Sequence, residues 1–320
     1  MKMLFRIKYF VLLIATMLAC AHAAAQRIVL TPQWTPQSQF AGYYVAQEKG
    51  FYKDAGLDVV IRHPSTSNSA VNSIRQGQSN AIVMQLLEAI VEIDRGVELV
   101  NVLQVFQHTG LVAVSRTEKL RAINDLRGKK VGVWKSGFGV LASILNKERS
   151  LNISWVPFIH NINLFISGAI DATLAMSYNE ALQIKAAGFE NMPMIRFYGS
   201  SYDFPEDALF VTADYYRRYP EKAKAFAEAS KRGWEWARNN RKEALEITLK
   251  VAARENMPVN LIHQEWMLDE VLKLMSEKEG ERPSYVLKNQ KLDQLVTLLR
   301  KHGYIKDAVT SEQLKEGRYE

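Results

Sequence analysis

A chain of 320 residues, 48% hydrophobic and 23% charged, has the bulk for a real core and the composition of neither a disordered nor a fibrous protein. Its formal charge of +7 is spread along the sequence without a basic run, which excludes a nucleic-acid arm of the usual kind. A single cysteine, Cys20, excludes a disulfide scaffold, a thiolate metal site and a cysteine nucleophile in the body of the chain.

The first 25 residues read as a secretory signal peptide. Lys2, Arg6 and Lys8 precede an apolar run over 9–19, shorter than the roughly 20 residues a membrane span needs. Ala21-His22-Ala23 and Ala23-Ala24-Ala25 offer small-residue cleavage sites. Met17-Leu18-Ala19-Cys20 resembles a lipoprotein cleavage box, with Met where Leu is usual, and would make Cys20 a lipid attachment point.

From there β-like runs alternate with helical patterns, the signature of an α/β fold with parallel strands. Strands are expected at 27–30, 58–61, 81–84, 98–105, 111–114, 130–134, 154–158, 172–175, 194–198 and 209–212. Helices are expected at 68–76, 86–94, 139–147, 162–167 and 179–187, several closed by a glycine. After Pro220 the chain turns almost wholly helical. Ala223, Phe226, Ala227, Ser230, Trp234 and Ala237 mark one packed face, and Leu292, Leu295, Val296 and Leu299 another. Core packing accounts for both stripes.

The apolar strand 110–115, leading into a polar linker, and the apolar strand 207–212, following an irregular stretch, bracket a self-contained βαβαβ block. This predicts a discontinuous first lobe, 26–114 with 205–320, and a second lobe, 115–204. Two crossings would join them as hinges that close on a ligand.

Three stretches carry a family resemblance. They are W-T-P-x-x-x-F-A-G-Y-Y-V-A-x-E-K-G-F-Y-x-x-A-G-L-D-V from Trp34, L-R-G-K-K-V-G-V-W from Leu126, and G-A-I-D-A-T-L-A-M-S-Y-N-E-A from Gly168. Together the chain resembles type II periplasmic solute-binding proteins, in the branch that includes aliphatic-sulfonate and thiamine-pyrimidine-precursor binders. The resemblance spans residues 28 to about 275. It implies a two-lobed periplasmic binding protein fold with two hinge crossings, export to the periplasm, a small-molecule ligand and an ABC permease as partner. The same branch includes modules attached to membrane sensor kinases and cyclases, whose wording Phe40-Ala41-Gly42-Tyr43-Tyr44 resembles. It also includes a thiamine-pyrimidine synthase. The synthase uses a lysine and a histidine after its third strand and a cysteine cluster, whereas here 81–94 has neither Lys nor His.

In open α/β sheets the ligand crevice lies beyond the carboxyl ends of the strands. Trp34, Gln39 and Phe40 follow the first strand, and Tyr178, Asn179 and Glu180 follow the strand at 172–175. Aromatic faces from two lobes would stack a flat heterocycle, and Glu180 would accept from an exocyclic amine. Ser136, Gly137 and Phe138 open a helix with free backbone N–H groups suited to an anion or polar tail. Thr66, before the helix at 68, has the same capacity or serves as a cap, and Gln85 ends a strand as a further polar contact. The six histidines form no metal pair, no nucleophile elbow is present, and Asp203, Glu206 and Asp207 read as a surface loop. The expectation is therefore a monomeric binding protein with no catalytic residues, metal or cofactor.

Overall fold

The computed structural model describes residues 27–65, 68–116, 120–134, 139–158, 162–278 and 281–319. The leader with Cys20, and the candidates Thr66, Ser136, Gly137 and Phe138, lie outside them. Two five-stranded sheets organise the chain. The first is built from β1 (Ile28–Pro32), β2 (Val59–Ile61), β3 (Ala81–Gln85) and β4 (Leu99–Gln104). The second takes β5 (Leu111–Ser115), β6 (Lys130–Trp134), β7 (Ser154–Phe158), β8 (Ala172–Met176) and β9 (Met194–Arg196), and β10 (Asp207–Thr212) returns to the first. The strand orders are β2-β1-β3-β10-β4 and β7-β6-β8-β5-β9.

The sheets are mixed, not purely parallel. β10 runs antiparallel to β3 and β4, and β5 runs antiparallel to β8 and β9. The connectivity explains this. The βα-linked strands end at the crevice between the lobes, whereas a strand entering from a crossing begins there and must run away from it. The register fits: Asp207 starts β10 opposite Gln85, the last residue of β3, and Leu111 starts β5 opposite Met176, the last of β8. The strand expected to end the first lobe at residue 114 therefore belongs to the second sheet, and the crossings are 105–110 and 197–206. They lie side by side, with the N–H groups of Val105 and Phe106 donating to the Asp207 carbonyl at 3.1 and 2.9 Å.

The helical C-terminal part packs on the first sheet, with one consequence for the glycines. Helix Ala41–Glu48 lies backbone to backbone on helix Pro220–Asn239. A Cβ at Gly233 would sit 2.0 Å from the Gly42 carbonyl oxygen, and one at Gly42 would sit 2.2 Å from the Trp234 ring. Trp234 fills the gap and meets Tyr43 edge-on at 5.7 Å. The aromatic run at 40–44 thus serves the core: Phe40, Tyr43 and Tyr44 are all buried.

Beyond the two covalent crossings, side chains of the C-terminal part reach the second lobe. From helix Leu261–Leu274, Trp266 Nε1 donates to the Ser177 carbonyl at 3.1 Å. At the end of helix Asn289–Lys301, Lys301 Nζ donates to Glu148 at 2.6 Å, and His302 Nε2 lies 3.0 Å from the same carboxylate. Those donors hold the Glu148 carboxyl down at about 2.

Candidate functional site

A cleft of about 940 Å3 opens where the strand ends of both sheets meet. Trp34, Gln37 and Gln39 enter it from the turn after β1, Trp134 from the end of β6, and Met176, Tyr178, Asn179 and Glu180 from the turn after β8. Asn260, His263 and Gln264, at the start of helix Leu261–Leu274, close one side.

Trp34 is placed by its neighbours. His63 Nδ1–H donates to the Trp34 carbonyl at 2.6 Å, while its Nε2 accepts from the Tyr44 hydroxyl at 3.0 Å. Burial pushes this imidazole down to about 4, so it is neutral, as that pair of bonds requires. Phe40 and Tyr44 pack against it with ring centres 6.1 and 5.8 Å away. Phe40 was expected to touch ligand. It is instead fully buried behind the loop that carries Trp34.

Glu180 also turns inward. Its Oε1 accepts from Trp134 Nε1 and Asn179 Nδ2, both at 3.1 Å, and its Oε2 accepts from the Met176 N–H at 2.9 Å. Burial raises the carboxyl above its ordinary value while these donors pull it down. Three protein donors already occupy most of a carboxylate's accepting capacity. Glu180 therefore fixes the Trp134 indole, which is backed by Phe158 at 5.5 Å, and borders the cleft more than it reaches into it.

Tyr178 is buried, its ring against Gly110, where a Cβ would lie 2.7 Å from the ring. Gln39 links the lobes: its Nε2 donates to Asp207 Oδ2 at 2.7 Å and lies 3.4 Å from the Tyr178 hydroxyl. Asn179 Oδ1 lies 2.9 Å from His263 Nε2, a second contact across the cleft. Gln264 Oε1 accepts from the Ser38 N–H at 2.7 Å.

The structure thus brings Trp34, Gln39, Tyr178, Asn179 and Glu180 to one cleft. Gln85 lies elsewhere, on a separate cavity of about 30 Å3 beside Thr109 and Glu206. Trp134 and His263 were not singled out from the sequence. Trp134 is the last residue of a predicted strand, whereas Trp34 was identified by its place in the loop after one. His263 had no local signal, because a helix far along the chain delivers it. The acidic trio is no surface loop: Asp203, Glu206 and Asp207 are all buried in and beside the crossings. Glu206 accepts from Thr109 Oγ1 and the Gly110 N–H, and burial pushes it up to about 8. Asp207 rises to about 7 for the same reason. Among the described residues no group of His, Cys, Asp and Glu side chains could hold a metal.

Two sheets joined by paired crossings, with a cleft at their facing strand ends, define the periplasmic binding protein fold. The same fold is seen in the periplasmic aliphatic sulphonate binding protein SsuA from Escherichia coli, with a TM-score of 0.63, 13% identity, and 90% of this chain and 91% of that one covered. The NMT1/THI5 like family model matches residues 37–244, and the chain belongs to that family. The riboflavin-binding protein RibY of Chloroflexus aurantiacus is 21% identical over 241 residues, 72% of this chain and 68% of its own. The formylaminopyrimidine-binding protein of Halalkalibacterium halodurans is 22% identical over 300 residues, 90% of this chain and 89% of its own. Both relatives are named as binding proteins.

Proposed function

We propose that this is an exported solute-binding protein that captures a flat, hydrogen-bonding heterocycle between its lobes and hands it to an ABC importer. The observation that carries the reading is the pair of tryptophans, Trp34 and Trp134, that enter one cleft from opposite sheets, with Gln39, Asn179 and His263 lining the same cleft. Indole rings supply stacking area and the amides and imidazole supply direction. Two relatives carry names for binding nitrogen heterocycles. The basic and apolar leader supports export, and no helix among the described residues is long and apolar enough to cross a membrane. The sensor alternative rested on the wording at 40–44, which core packing explains.

Titrating the intrinsic tryptophan fluorescence of the mature protein tests this. Riboflavin or 4-amino-5-hydroxymethyl-2-methylpyrimidine is expected to quench at saturable concentrations and ethanesulfonate is not. Saturable binding of ethanesulfonate with no response to either heterocycle would overturn the proposal.

A further inference from the structure

Two chains of side-chain hydrogen bonds run from buried carboxylates into the cleft, and each fixes which atom is left over at its end. The two ends of a side-chain amide have the same shape, so its partners decide which way it lies. An ionised carboxylate settles the direction, because it only accepts.

The first chain starts at Asp207. Its Oδ2 accepts from Gln39 Nε2 at 2.7 Å, and the Tyr178 hydroxyl lies 3.4 Å from the same nitrogen. Burial pushes Asp207 up to about 7, so at pH 8 it is ionised and the Gln39 nitrogen must face it. Gln39 Oε1 then lies the other way and accepts from Gln37 Nε2 at 2.6 Å. That contact uses an N–H of Gln37. It leaves Oε1, on a residue that lines the cleft, without a partner among the described residues.

The second chain starts at Glu180. Its two oxygens face the Trp134 indole N–H and the Met176 backbone N–H, groups that can only donate. Asn179 therefore turns Nδ2 to Glu180 Oε1, at 3.1 Å, and Oδ1 toward the cleft's far side. That Oδ1 accepts from Gln183 Nε2 at 3.1 Å and meets His263 Nε2 at 2.9 Å. The His263 proton must then sit on Nε2. Burial pushes this imidazole below its ordinary value, so it is neutral at pH 8 and Nδ1 is bare. Nδ1 has no partner among the described residues.

A glutamine oxygen and a bare imidazole nitrogen are both acceptors, and both residues border one cleft. We infer that Gln37 Oε1 and His263 Nδ1 select the ligand by accepting from its N–H groups, and that Gln39 and Asn179 are positioning residues that hold them in that sense. This rests on the heterocycle reading above and narrows it to rings that carry N–H donors.

One arm of the test needs no ligand. Long-range proton–nitrogen correlation NMR of the labelled mature protein at pH 8, assigned with His263→Phe, should place the His263 proton on Nε2. A proton on Nδ1 overturns the inference whatever the ligand. The other arm compares lumichrome with its 1,3-dimethyl derivative, and 4-amino-5-hydroxymethyl-2-methylpyrimidine with its 4-dimethylamino derivative. Each pair keeps the ring and loses its N–H donors at the exchanged positions. In the pair that binds, the parent should favour the N–H member by about tenfold or more, since the derivative leaves acceptors unpaired. The bulk of the added methyl groups acts with the same sign, and the variants separate the two causes. Gln37→Met and His263→Phe should each cut the preference about threefold or more. Gln39→Met should cut it as far as Gln37→Met does, and the double variant no further, because one chain is broken only once. Asn179→Leu and His263→Phe should behave as a second such pair. The preference is a ratio within one protein, which a loss of folded fraction does not move. If the parent shows no preference, or the preference survives Gln37→Met or His263→Phe, the inference is wrong while the heterocycle reading stands. A further drop in either double variant overturns the positioning roles. If no member of either pair binds, the heterocycle reading fails and the inference falls with it.

Discussion

Asp207→Asn is expected to stabilise this protein at pH 8 and to leave it unchanged at pH 4. Asp207 Oδ2 accepts from Gln39, while its Oδ1 is buried with no hydrogen-bond partner. An asparagine keeps the accepting oxygen at almost the same volume and removes the charge. In the folded chain burial raises this carboxyl from 3.8 to about 7. Below about pH 4 the folded and unfolded forms both hold the proton and the group has no effect on stability. As pH rises from 4 to 7 the unfolded chain loses its proton and the folded one keeps it, so stability falls with pH. Above 7 both are ionised and the deficit is constant. At about 1.4 kcal/mol for each pH unit in that window, the ceiling is on the order of 4 kcal/mol. Urea unfolding followed by circular dichroism at pH 4, 6 and 8 measures it. Parent and variant should coincide at pH 4 and separate by a few kcal/mol at pH 8. A variant that loses the same amount of stability at every pH would refute the argument, because the carboxylate would then be a needed partner and not a buried charge.

Three further expectations follow from particular contacts. Gly233→Ala places a methyl group 2.0 Å from the Gly42 carbonyl oxygen between two helix backbones; a loss of about 3 kcal/mol or more is expected in urea melts, and a loss below about 0.5 kcal/mol would mean the helices part freely. Glu180→Gln turns an amide N–H toward one of three protein donors, so it should cost about 1–3 kcal/mol of stability and shift the Trp134 emission; an unchanged melt would return Glu180 to the ligand. His263→Ala removes the contact with Asn179 across the cleft, and should raise the ligand's dissociation rate about fivefold with the association rate nearly constant, which stopped-flow fluorescence resolves.

What the sequence alone determined is the part governed by short-range pattern. The order of strands and helices, the helical stripe at 223–237 and the placement of Trp34, Tyr178 and Asn179 beyond strand ends all follow from periodicities of two and 3.6 and from the rule for crevices in α/β sheets. Direction and depth were a different matter. That β5 and β10 run antiparallel depends on where the chain re-enters each sheet, which no local window contains. Phe40 and Glu180 were visible as residues near the cleft, but whether a side chain faces ligand or protein depends on distant partners: His63 for the first, Trp134 and the Met176 N–H for the second. Asp203, Glu206 and Asp207 look like a solvated loop in sequence because charge usually means exposure. Only the side-by-side crossings, with Thr109 and Gly110 donating to Glu206 and Gln39 donating to Asp207, bury them. His263 joins the site because a helix more than 80 residues beyond Asn179 folds back across both lobes. Such long-range closures form only when the whole core packs, and so they belong to the tertiary structure.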